Sequence, residues 1–156
     1  MDLYSRKIVG WSVSKENNSE LTKTALRGAI LARGGRVSSG IIHHSDRGST
    51  YASGSYRKVL TAFGIRQSMS SKGNCYDNAA MESFFGRYKT SSIGNHIFED
   101  IAEVRSHVFN YIELFYNRFR KHSALGYKCP EEIESKKFPP MGGNPTSGLS
   151  ACVQSN

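Results

Sequence analysis

Two acidic residues, Asp46 and Glu82, stand in sequence contexts that suit metal chemistry. Asp46 lies between a short apolar run and a glycine turn, and Glu82 lies between Met81 and the Phe84-Phe85 pair, with 35 residues separating the two acids. Their spacing alone would not distinguish them from surface charges. An acid among apolar neighbours, however, is costly unless it is paired or metal-bound. We therefore expect Asp46 and Glu82 to be catalytic metal ligands.

The chemistry that these carboxylates fit is cleavage and joining of phosphodiester bonds. Two Mg²⁺ or Mn²⁺ ions can stabilise the attacking and leaving oxygens together, and such ions prefer carboxylate ligands. A site of this design needs three acids, because one bridges both ions and each ion needs another. Asp77 could compete as a ligand, although a helix-capping role is favoured for it. His43 and His44 are adjacent strand residues that face opposite ways, so we do not expect them to share an ion.

Alternating strands and helices are expected to position the two acids. Residues 6–14 alternate like a half-buried strand, and residues 3–4 could end a preceding one. A helix is predicted from about Glu20 to Arg33, with Ser19 as its cap. Its expected inner stripe is Leu21, Ala25, Ala29 and Ile30. The strand at 41–42 then delivers Asp46 to its carboxyl end, where sites gather in open α/β sheets.

The second half of the predicted core carries Glu82. Ser53 should cap a helix that stops at Gly64, followed by a strand at 65–69 and a polar, flexible loop at 70–74. Asp77 or Asn78 should cap the helix that bears Glu82 in its second turn. The inward residues expected in the helix after Ser53 are Tyr56, Val59, Leu60 and Phe63.

The C-terminal part is predicted to be one long amphipathic helix and a tail. Residues 99–121 show apolar positions three and four apart, which indicates a core-facing or oligomer-facing stripe. That stripe consists of Ile101, Val104, Val108, Ile112, Phe115 and Phe119. Cations and aromatics mix at its end, and an acidic turn starts at Pro130. We expect residues 1–138 to form the domain and the uncharged residues 139–156 to be a disordered tail.

Composition limits the class of protein. The chain has 156 residues, 38% apolar and 22% charged, which is typical of one globular domain. Its 21 basic and 13 acidic residues give a formal charge of +8, which favours polyanionic partners. The three cysteines Cys75, Cys129 and Cys152 fit neither a disulfide framework nor a zinc site. We expect no membrane association and a cytoplasmic location, because no membrane-length apolar run or signal-peptide layout is present.

Several segments, in one order along residues 1–135, resemble the catalytic OrfB-type subunit of bacterial insertion-sequence transposases. The family has a retroviral-integrase-like core with a ribonuclease-H-like α/β fold. The resemblance therefore implies a mixed central sheet flanked by helices, with its first strand and most of its second absent from this sequence. The matching segments are DLYSR at 2–6, VGW at 9–11, HHSDRGSTY at 43–51, QSMS at 67–70, GNCYDN at 73–78, MESFF at 81–85, YNR at 116–118 and HSALGY at 122–127.

The resemblance implies roles for individual residues. The family's acidic triad is Asp, Asp, Glu, and its last two members match Asp46 and Glu82 as ligands of Mg²⁺ or Mn²⁺. Lys89 takes the place of a lysine that often contacts DNA, and Lys72 lies in the loop that covers the site in relatives. Expected contacts to the DNA backbone are Arg118, Arg120, Lys121 and His122, for which a solvated basic face is an equal interpretation. The implied partners are transposon-end and target DNA and a second transposase chain, in a homo-oligomer or with full-length transposase.

One departure from the family pattern leaves three hypotheses. The strand that carries the first triad Asp is absent, and Asp2 matches a different family position. The sequence therefore looks truncated at its N-terminus, and we expect the chain alone to be inactive or nearly so and to fold poorly. The hypotheses are a DNA transposase core, an inactive fragment that binds DNA or full-length transposase, and a ribonuclease-H-like nuclease acting on RNA–DNA hybrids. The flanking motifs match transposases throughout, which disfavours the third.

Overall fold

The computed structural model describes residues 1–70 and 79–137 of the chain as a mixed α/β structure. In chain order its regular elements are α1 (Ser19–Ala32), β1 (Ile42–Ser45), α2 (Ser49–Ala52), α3 (Gly54–Ala62), β2 (Arg66–Met69), α4 (Ala79–Tyr88), a first π-helical segment (Lys89–Ile93), α5 (Ile101–Phe109), a second π-helical segment (Asn110–Tyr116), a 3₁₀ turn (Ser123–Leu125) and α6 (Pro130–Lys137).

The described sheet consists of two parallel strands. β1 pairs with β2 in a register that sets Ile42 beside Arg66 and Ser45 beside Met69. The crossover between the strands runs through α2 and α3, as parallel strands require a helical connection. One core cluster lies under this unit and joins the strands to α1; it consists of Leu26, Ile30, Tyr56, Leu60 and Ile65.

Helix α1 forms close to the predicted bounds, but its cap is one residue earlier than expected. The side chain of Asn18, rather than that of Ser19, accepts hydrogen bonds from the first free N–H groups, those of Glu20 and Leu21. The buried positions are Leu26 and Ile30. Since Leu21 is only half-buried, the apolar face is rotated slightly from the predicted stripe.

Helix α3 confirms its predicted start and stop. Ser53 caps it by accepting a hydrogen bond from the Tyr56 N–H, and Gly64 follows the helix with a positive φ of 65°. Tyr56 and Leu60 are buried, as expected. Phe63 was wrongly predicted to face inward: it is the C-cap residue, and its side chain is exposed.

The N-terminal segment is not a strand, contrary to the prediction from its alternating pattern. Residues 6–14 have no regular secondary structure, and residues 3–5 form a turn that the Asp2 carboxylate caps through the N–H groups of Tyr4 and Ser5. A strand needs a neighbouring backbone to bond with. Here the backbone of Ile8 bonds instead to the side chain of Asn117, through its N–H at 2.9 Å and its carbonyl at 3.1 Å.

The long C-terminal helix changes geometry half-way. It is α-helical only to Phe109 and continues as the second π-helical segment. A π-helix places more residues in each turn, so the buried side shifts from the predicted three- and four-residue stripe to Tyr111, Ile112 and Tyr116. Phe115 and Phe119, both predicted to lie on the stripe, are exposed.

A second core cluster joins the N-terminal segment to the second half of the described chain. It consists of Ile8, Phe84, Tyr111, Ile112 and Tyr116, with Met1, Trp11, Met81, Tyr88 and Val108 packed against it. The cluster therefore holds the N-terminal segment, α4 and the second π-helical segment together. Beyond it, the predicted acidic turn at Pro130 is the short helix α6.

The helices are short, with α1 at 14 residues and α4 at 10. Across residues 1–70 and 79–137, none is both long enough and apolar enough to cross a membrane. Cys129 is a buried free thiol. Cys75 and Cys152 lie outside the described residues, as do Lys72, the Asp77 or Asn78 cap, most of the 70–74 loop and the 139–156 tail.

Candidate functional site

Asp46 lies directly after β1, at the carboxyl end of the parallel sheet, where the sequence placed it. Its Oδ1 accepts a hydrogen bond from the Gly48 N–H at 2.8 Å, which closes a tight turn. A Cβ atom on Gly48 would lie 2.9 Å from that same oxygen, so the turn favours glycine. The local chain thus orients an exposed carboxylate beyond the end of a strand.

Hydrogen bonds of the backbone and of polar side chains join the ends of the two strands behind Asp46. The Ser70 N–H donates to the Ser45 carbonyl at 2.9 Å, and Arg47 Nε donates to the Ser70 carbonyl at 2.9 Å. Both ring nitrogens of His44 lie 3.0 Å from hydroxyls, Nδ1 from Ser68 and Nε2 from Ser70. These bonds fix the strand ends that carry Asp46, and they occupy the His44 imidazole.

His43 belongs to the opposite face, as the strand alternation predicted. Its Nε2 lies 2.9 Å from the Tyr56 hydroxyl, and its ring packs edge-on against Tyr56. Burial lowers the pKa of His43, with a further lowering from the positively charged N-terminus. Burial also raises the pKa of Tyr51, and the Asp46 carboxylate raises it further. His43 therefore packs against the core at Tyr56, whereas His44 bonds to hydroxyls at the strand ends.

Glu82 lies on α4 with its side chain exposed, although apolar residues flank it in the sequence. The inward positions of α4 are Met81, Phe84 and Tyr88, which follow helical spacing and pack on the second core cluster. Glu82 falls beside this stripe. Within residues 1–70 and 79–137 its carboxylate has no hydrogen-bond or ion-pair partner, which leaves it accessible to a cation.

Carboxylate oxygens are suitable ligands for a hard divalent cation. The structure describes two such acids, Asp46 and Glu82, rather than the three that a two-metal site needs. Among the described residues, no three His, Cys, Asp or Glu side chains gather closely enough to hold a metal ion. Asp46 follows the sheet unit over the first core cluster, whereas Glu82 belongs to α4 on the second. The structure thus places both acids at exposed positions, one on the sheet unit and one on α4.

The basic residues proposed from sequence fall into different environments. Lys89 and Lys121 are exposed, and neither makes an ion pair within the described part of the chain. Arg118 Nε lies 3.5 Å from a carboxylate oxygen of Glu131, so its charge is partly compensated. Arg120 and His122 are half-buried against one residue of the core, Tyr116.

Arg6 and Arg87, which the sequence did not indicate as functional residues, also act electrostatically on Tyr116 and His122. Burial lowers the pKa of His122, and the charges of Arg120, Arg6 and Arg87 lower it further. Burial raises the pKa of Tyr116 to about 12, against the opposing effect of these arginines. No pattern in the sequence links Arg6 to Arg87, which lie far apart along the chain.

Residues 1–75 and residues 63–130 match two sequence models of the integrase core domain. The chain is 44% identical over 135 residues to a 31 kDa protein of insertion element IS600 from Shigella sonnei, covering 86% of this chain and 49% of that protein. It is 43% identical over 138 residues to transposase InsF of insertion sequence IS3A from Escherichia coli K12, covering 88% and 47%. The chain belongs to the integrase-core family of insertion-sequence transposases.

The chain spans about half the length of the curated relatives it matches. A third relative, the transposase of insertion sequence element IS904 from Lactococcus lactis, is 43% identical over 136 residues, covering 86% of this chain and 52% of the relative. The fold of the chain is also similar to that of a solved integrase structure. A cryo-electron microscopy structure of a simian T-cell lymphotropic virus intasome in complex with PP2A regulatory subunit B56 gamma matches with a TM-score of 0.58 at 19% identity, covering 87% of this chain and 46% of that chain. The described structure is thus part of a ribonuclease-H-like integrase core.

Proposed function

We propose that the chain acts in DNA transposition, as part of a core that cuts and joins DNA strands with divalent metal ions. The observation that carries this proposal is the position of Asp46, exposed beyond the end of β1 and oriented by the Gly48 turn. The carboxyl ends of parallel strands are where α/β folds build their sites. Glu82 adds a second accessible carboxylate at the spacing expected from the resemblance.

In this proposal Asp46 and Glu82 would hold Mg²⁺ or Mn²⁺. When bound, the ions would stabilise negative charge on the attacking and leaving oxygens of the phosphodiester. The residues of the chain do the positioning. The hydrogen bonds of Ser70 and Arg47 hold the strand ends beneath Asp46, and the packing of Phe84 fixes the helix that bears Glu82. A rigid support of this kind keeps catalytic groups within the small tolerance that chemistry allows.

A second candidate function is binding of DNA or of full-length transposase without catalysis. The environment of Asp2 favours it. One oxygen of this carboxylate caps the 3–5 turn, and the other accepts a hydrogen bond from Arg33 at 2.9 Å. Because Asp2 is held in an ion pair, it is poorly suited to replace the first acid of the family's triad. We therefore expect the isolated chain to bind DNA and to transfer strands very weakly.

A nicking and joining assay on labelled duplex DNA with Mn²⁺ tests the proposal. The purified chain is compared with Asp46→Asn and Glu82→Gln, and the matched control is Glu99→Gln, another exposed acid. Activity that both site variants abolish and the control keeps would support a metal site in this chain. Activity unaffected by Asp46→Asn and Glu82→Gln would refute the assignment.

The two candidate functions are separated by adding the chain to a full-length relative. If the chain contributes only binding, it should inhibit strand transfer by the longer transposase in proportion to its concentration. Inhibition that persists in Glu82→Gln would support the binding function. A chain that is active alone and does not inhibit would support the catalytic one.

A further inference from the structure

An acidic and a basic residue stand next to each other at the carboxyl end of the sheet without forming an ion pair. Asp46 Oδ1 accepts a hydrogen bond from the Gly48 N–H at 2.8 Å, whereas Arg47 Nε donates to the Ser70 carbonyl at 2.9 Å. Both Asp46 and Arg47 are exposed. Within residues 1–70 and 79–137, Arg47 pairs neither with Asp46 nor with another acid. Each side chain is therefore oriented by the backbone and keeps its charge available to a ligand.

The guanidinium of Arg47 is anchored at one nitrogen and free at the others. Exposure does not by itself prevent pairing in this chain, since Arg27 is also exposed and its guanidinium lies 3.3 Å from Glu20. In Arg47 the bond from Nε reaches across the ends of β1 and β2. Its two Nη groups have no hydrogen bond within the part of the chain that the structure describes. Because the guanidinium is a rigid planar fork, anchoring Nε orients the Nη donors without occupying them.

The carbonyl that anchors Arg47 belongs to a residue that is itself firmly held. Ser70 is only 6% exposed, and its N–H donates to the Ser45 carbonyl at 2.9 Å. Its hydroxyl lies 3.0 Å from Nε2 of His44, and Nδ1 of the same imidazole lies 3.0 Å from the Ser68 hydroxyl. The position of Arg47 therefore depends on His44 through Ser70.

A carboxylate beside an unpaired guanidinium suits a phosphate group that is bound together with a divalent cation. Carboxylate oxygens are ligands for the cation, and the paired N–H donors of arginine match the oxygens of a phosphate. Asp46 and Arg47 are consecutive residues, so a phosphate held by Arg47 would lie beside Asp46. The two residues thus offer complementary charges to one ligand at the end of the sheet.

We propose that Arg47 binds a phosphate group of the DNA strand beside Asp46, and that His44 is a positioning residue that holds Arg47 through Ser70. The identity of the strand as DNA rests on the proposed function, whereas the binding of a phosphate does not. A guanidinium in this place would also stabilise negative charge that develops on the phosphate during cleavage. Because Arg47 contacts phosphate rather than bases, binding here is independent of sequence.

Oligonucleotide binding in the absence of metal tests the role of Arg47. A labelled single-stranded DNA is titrated with the full chain in EDTA and followed by fluorescence anisotropy. The matched control is Arg57→Gln, because Arg57 is also exposed and its guanidinium also donates to a backbone carbonyl, that of Ala52 at 2.8 Å. We expect Arg47→Gln to weaken binding about fivefold and Arg57→Gln to weaken it less than about twofold.

The outcomes separate a built site from the effect of net charge. Equal losses in Arg47→Gln and Arg57→Gln would overturn the proposal. Arg47→Lys keeps the charge but loses the fork that donates to Ser70 and to the phosphate at once, so it should bind about as weakly as Arg47→Gln. An affinity of Arg47→Lys equal to that of the parent chain would contradict the assignment. Thermal melting verifies that each variant is folded.

Two substitutions of His44 separate positioning from folding. Glutamine places its amide near the position of Nε2 and still reaches Ser70, whereas asparagine places its amide near Nδ1 and reaches only Ser68. We expect His44→Asn to weaken oligonucleotide binding about as much as Arg47→Gln does, and His44→Gln to restore it. In an Arg47→Gln background, His44→Asn should cause no further loss, because His44 acts through Arg47. A full additional loss in that background would overturn the positioning role.

NMR of the Arg47 side chain distinguishes a DNA strand from a free anion. The resonance of its Nε–H is identified by its absence in Arg47→Lys and is followed while inorganic phosphate is added. Phosphate should shift this resonance, and the oligonucleotide should compete with phosphate for the site. A phosphate shift that the oligonucleotide leaves unchanged would overturn the assignment to a DNA strand. No shift with either ligand would overturn the site itself.

Failure of this proposal is distinguishable from failure of the catalytic one. The binding assay contains no metal and requires no cleavage, so Glu82→Gln should keep oligonucleotide affinity within about twofold. If Arg47→Gln binds like the parent chain while Glu82→Gln abolishes strand transfer, the phosphate site is wrong and the metal site stands. If Arg47→Gln loses binding while the parent chain transfers no strands, the phosphate site stands and the catalytic proposal fails.

Discussion

The side-chain amide of Asn117 hydrogen-bonds to both backbone groups of Ile8, at 2.9 Å to the N–H and 3.1 Å to the carbonyl. Asn117 is almost completely buried, and its amide also donates to Glu113 at 3.3 Å. Glu113 in turn accepts from the Trp11 indole at 2.9 Å. One polar side chain of the C-terminal half thus replaces the neighbouring strand that the N-terminal segment would otherwise bond to.

The first prediction concerns this amide. Asn117→Ala should lower the free energy of unfolding by about 2–4 kcal/mol, because it leaves the buried backbone groups of Ile8 unpaired. Urea denaturation followed by Trp11 fluorescence measures the change. The control is Asn110→Ala, which replaces an exposed asparagine at the start of the π-helical segment that Asn117 follows; it should change stability by under about 0.5 kcal/mol. Equal effects of the two substitutions would contradict a special role for Asn117.

The second prediction concerns the contact of the N-terminal segment with α1. A Cβ atom on Gly10 would lie 2.3 Å from the Ala25 carbonyl oxygen and 2.7 Å from the Ala29 Cβ. Gly10→Ala should therefore destabilise the protein by roughly 1–3 kcal/mol, since helix backbone must move to admit the methyl group.

Gly28 offers an opposite control for that experiment. It lies inside α1 with open space around its Cα, so Gly28→Ala should stabilise the protein by about 0.5–1 kcal/mol through helix propensity. Thermal melts of both variants give the comparison. Similar melting temperatures for Gly10→Ala and the parent chain would show that the segment does not pack as described.

The third prediction follows from the lowered pKa of His43 and of His122. Burial is the main cause for both, so each imidazole resists protonation in the folded state more than in the unfolded state. As the pH falls through about 6.5, the unfolded chain takes up protons first, and stability declines. Urea unfolding between pH 7 and pH 5 should show this loss, and His43→Gln should reduce it. His96→Gln removes an exposed imidazole 2.9 Å from Glu103 and should not reduce the loss.

The fourth prediction separates two basic residues that the sequence treats alike. Lys121 has no ion-pair partner within residues 1–70 and 79–137, whereas Arg118 lies 3.5 Å from Glu131. Lys121→Gln should weaken DNA binding and reduce its salt dependence more than Arg118→Gln does, because Arg118 is already partly neutralised. Conversely, Glu131→Gln should tighten binding by freeing Arg118. Salt titrations of duplex binding measure all three, and a larger effect at Arg118 would contradict this order.

Local sequence signals predicted most of the unit that carries Asp46. Ser53 and Gly64 correctly marked the ends of α3, because a capping hydroxyl and a residue with positive φ are requirements of a few residues only. The strand before Asp46 followed from a short apolar run in the same way. Whether Asp46 and Glu82 act as metal ligands stays a prediction.

The predictions that were wrong concern segments whose structure depends on residues distant in the sequence. The alternation of residues 6–14 is real, but whether an extended segment becomes a strand depends on a neighbouring backbone, and here Asn117 takes that place. The apolar stripe predicted for residues 99–121 would face one side only if the helix were α-helical throughout. The π-helical segment shifts that register and buries Tyr111 and Tyr116, while Phe115 and Phe119 are left exposed.

The sequence by itself determined the family, the cap of α3 and the carboxylates at the expected spacing, since these are carried by residue types in a fixed order. Only the tertiary structure decided which cations are free. Arg118 is partly compensated by Glu131, and the charges of Arg6, Arg87 and Arg120 all act on Tyr116. These charge interactions depend on the packing of segments up to about a hundred residues apart, because charges interact according to their distance in space rather than along the chain.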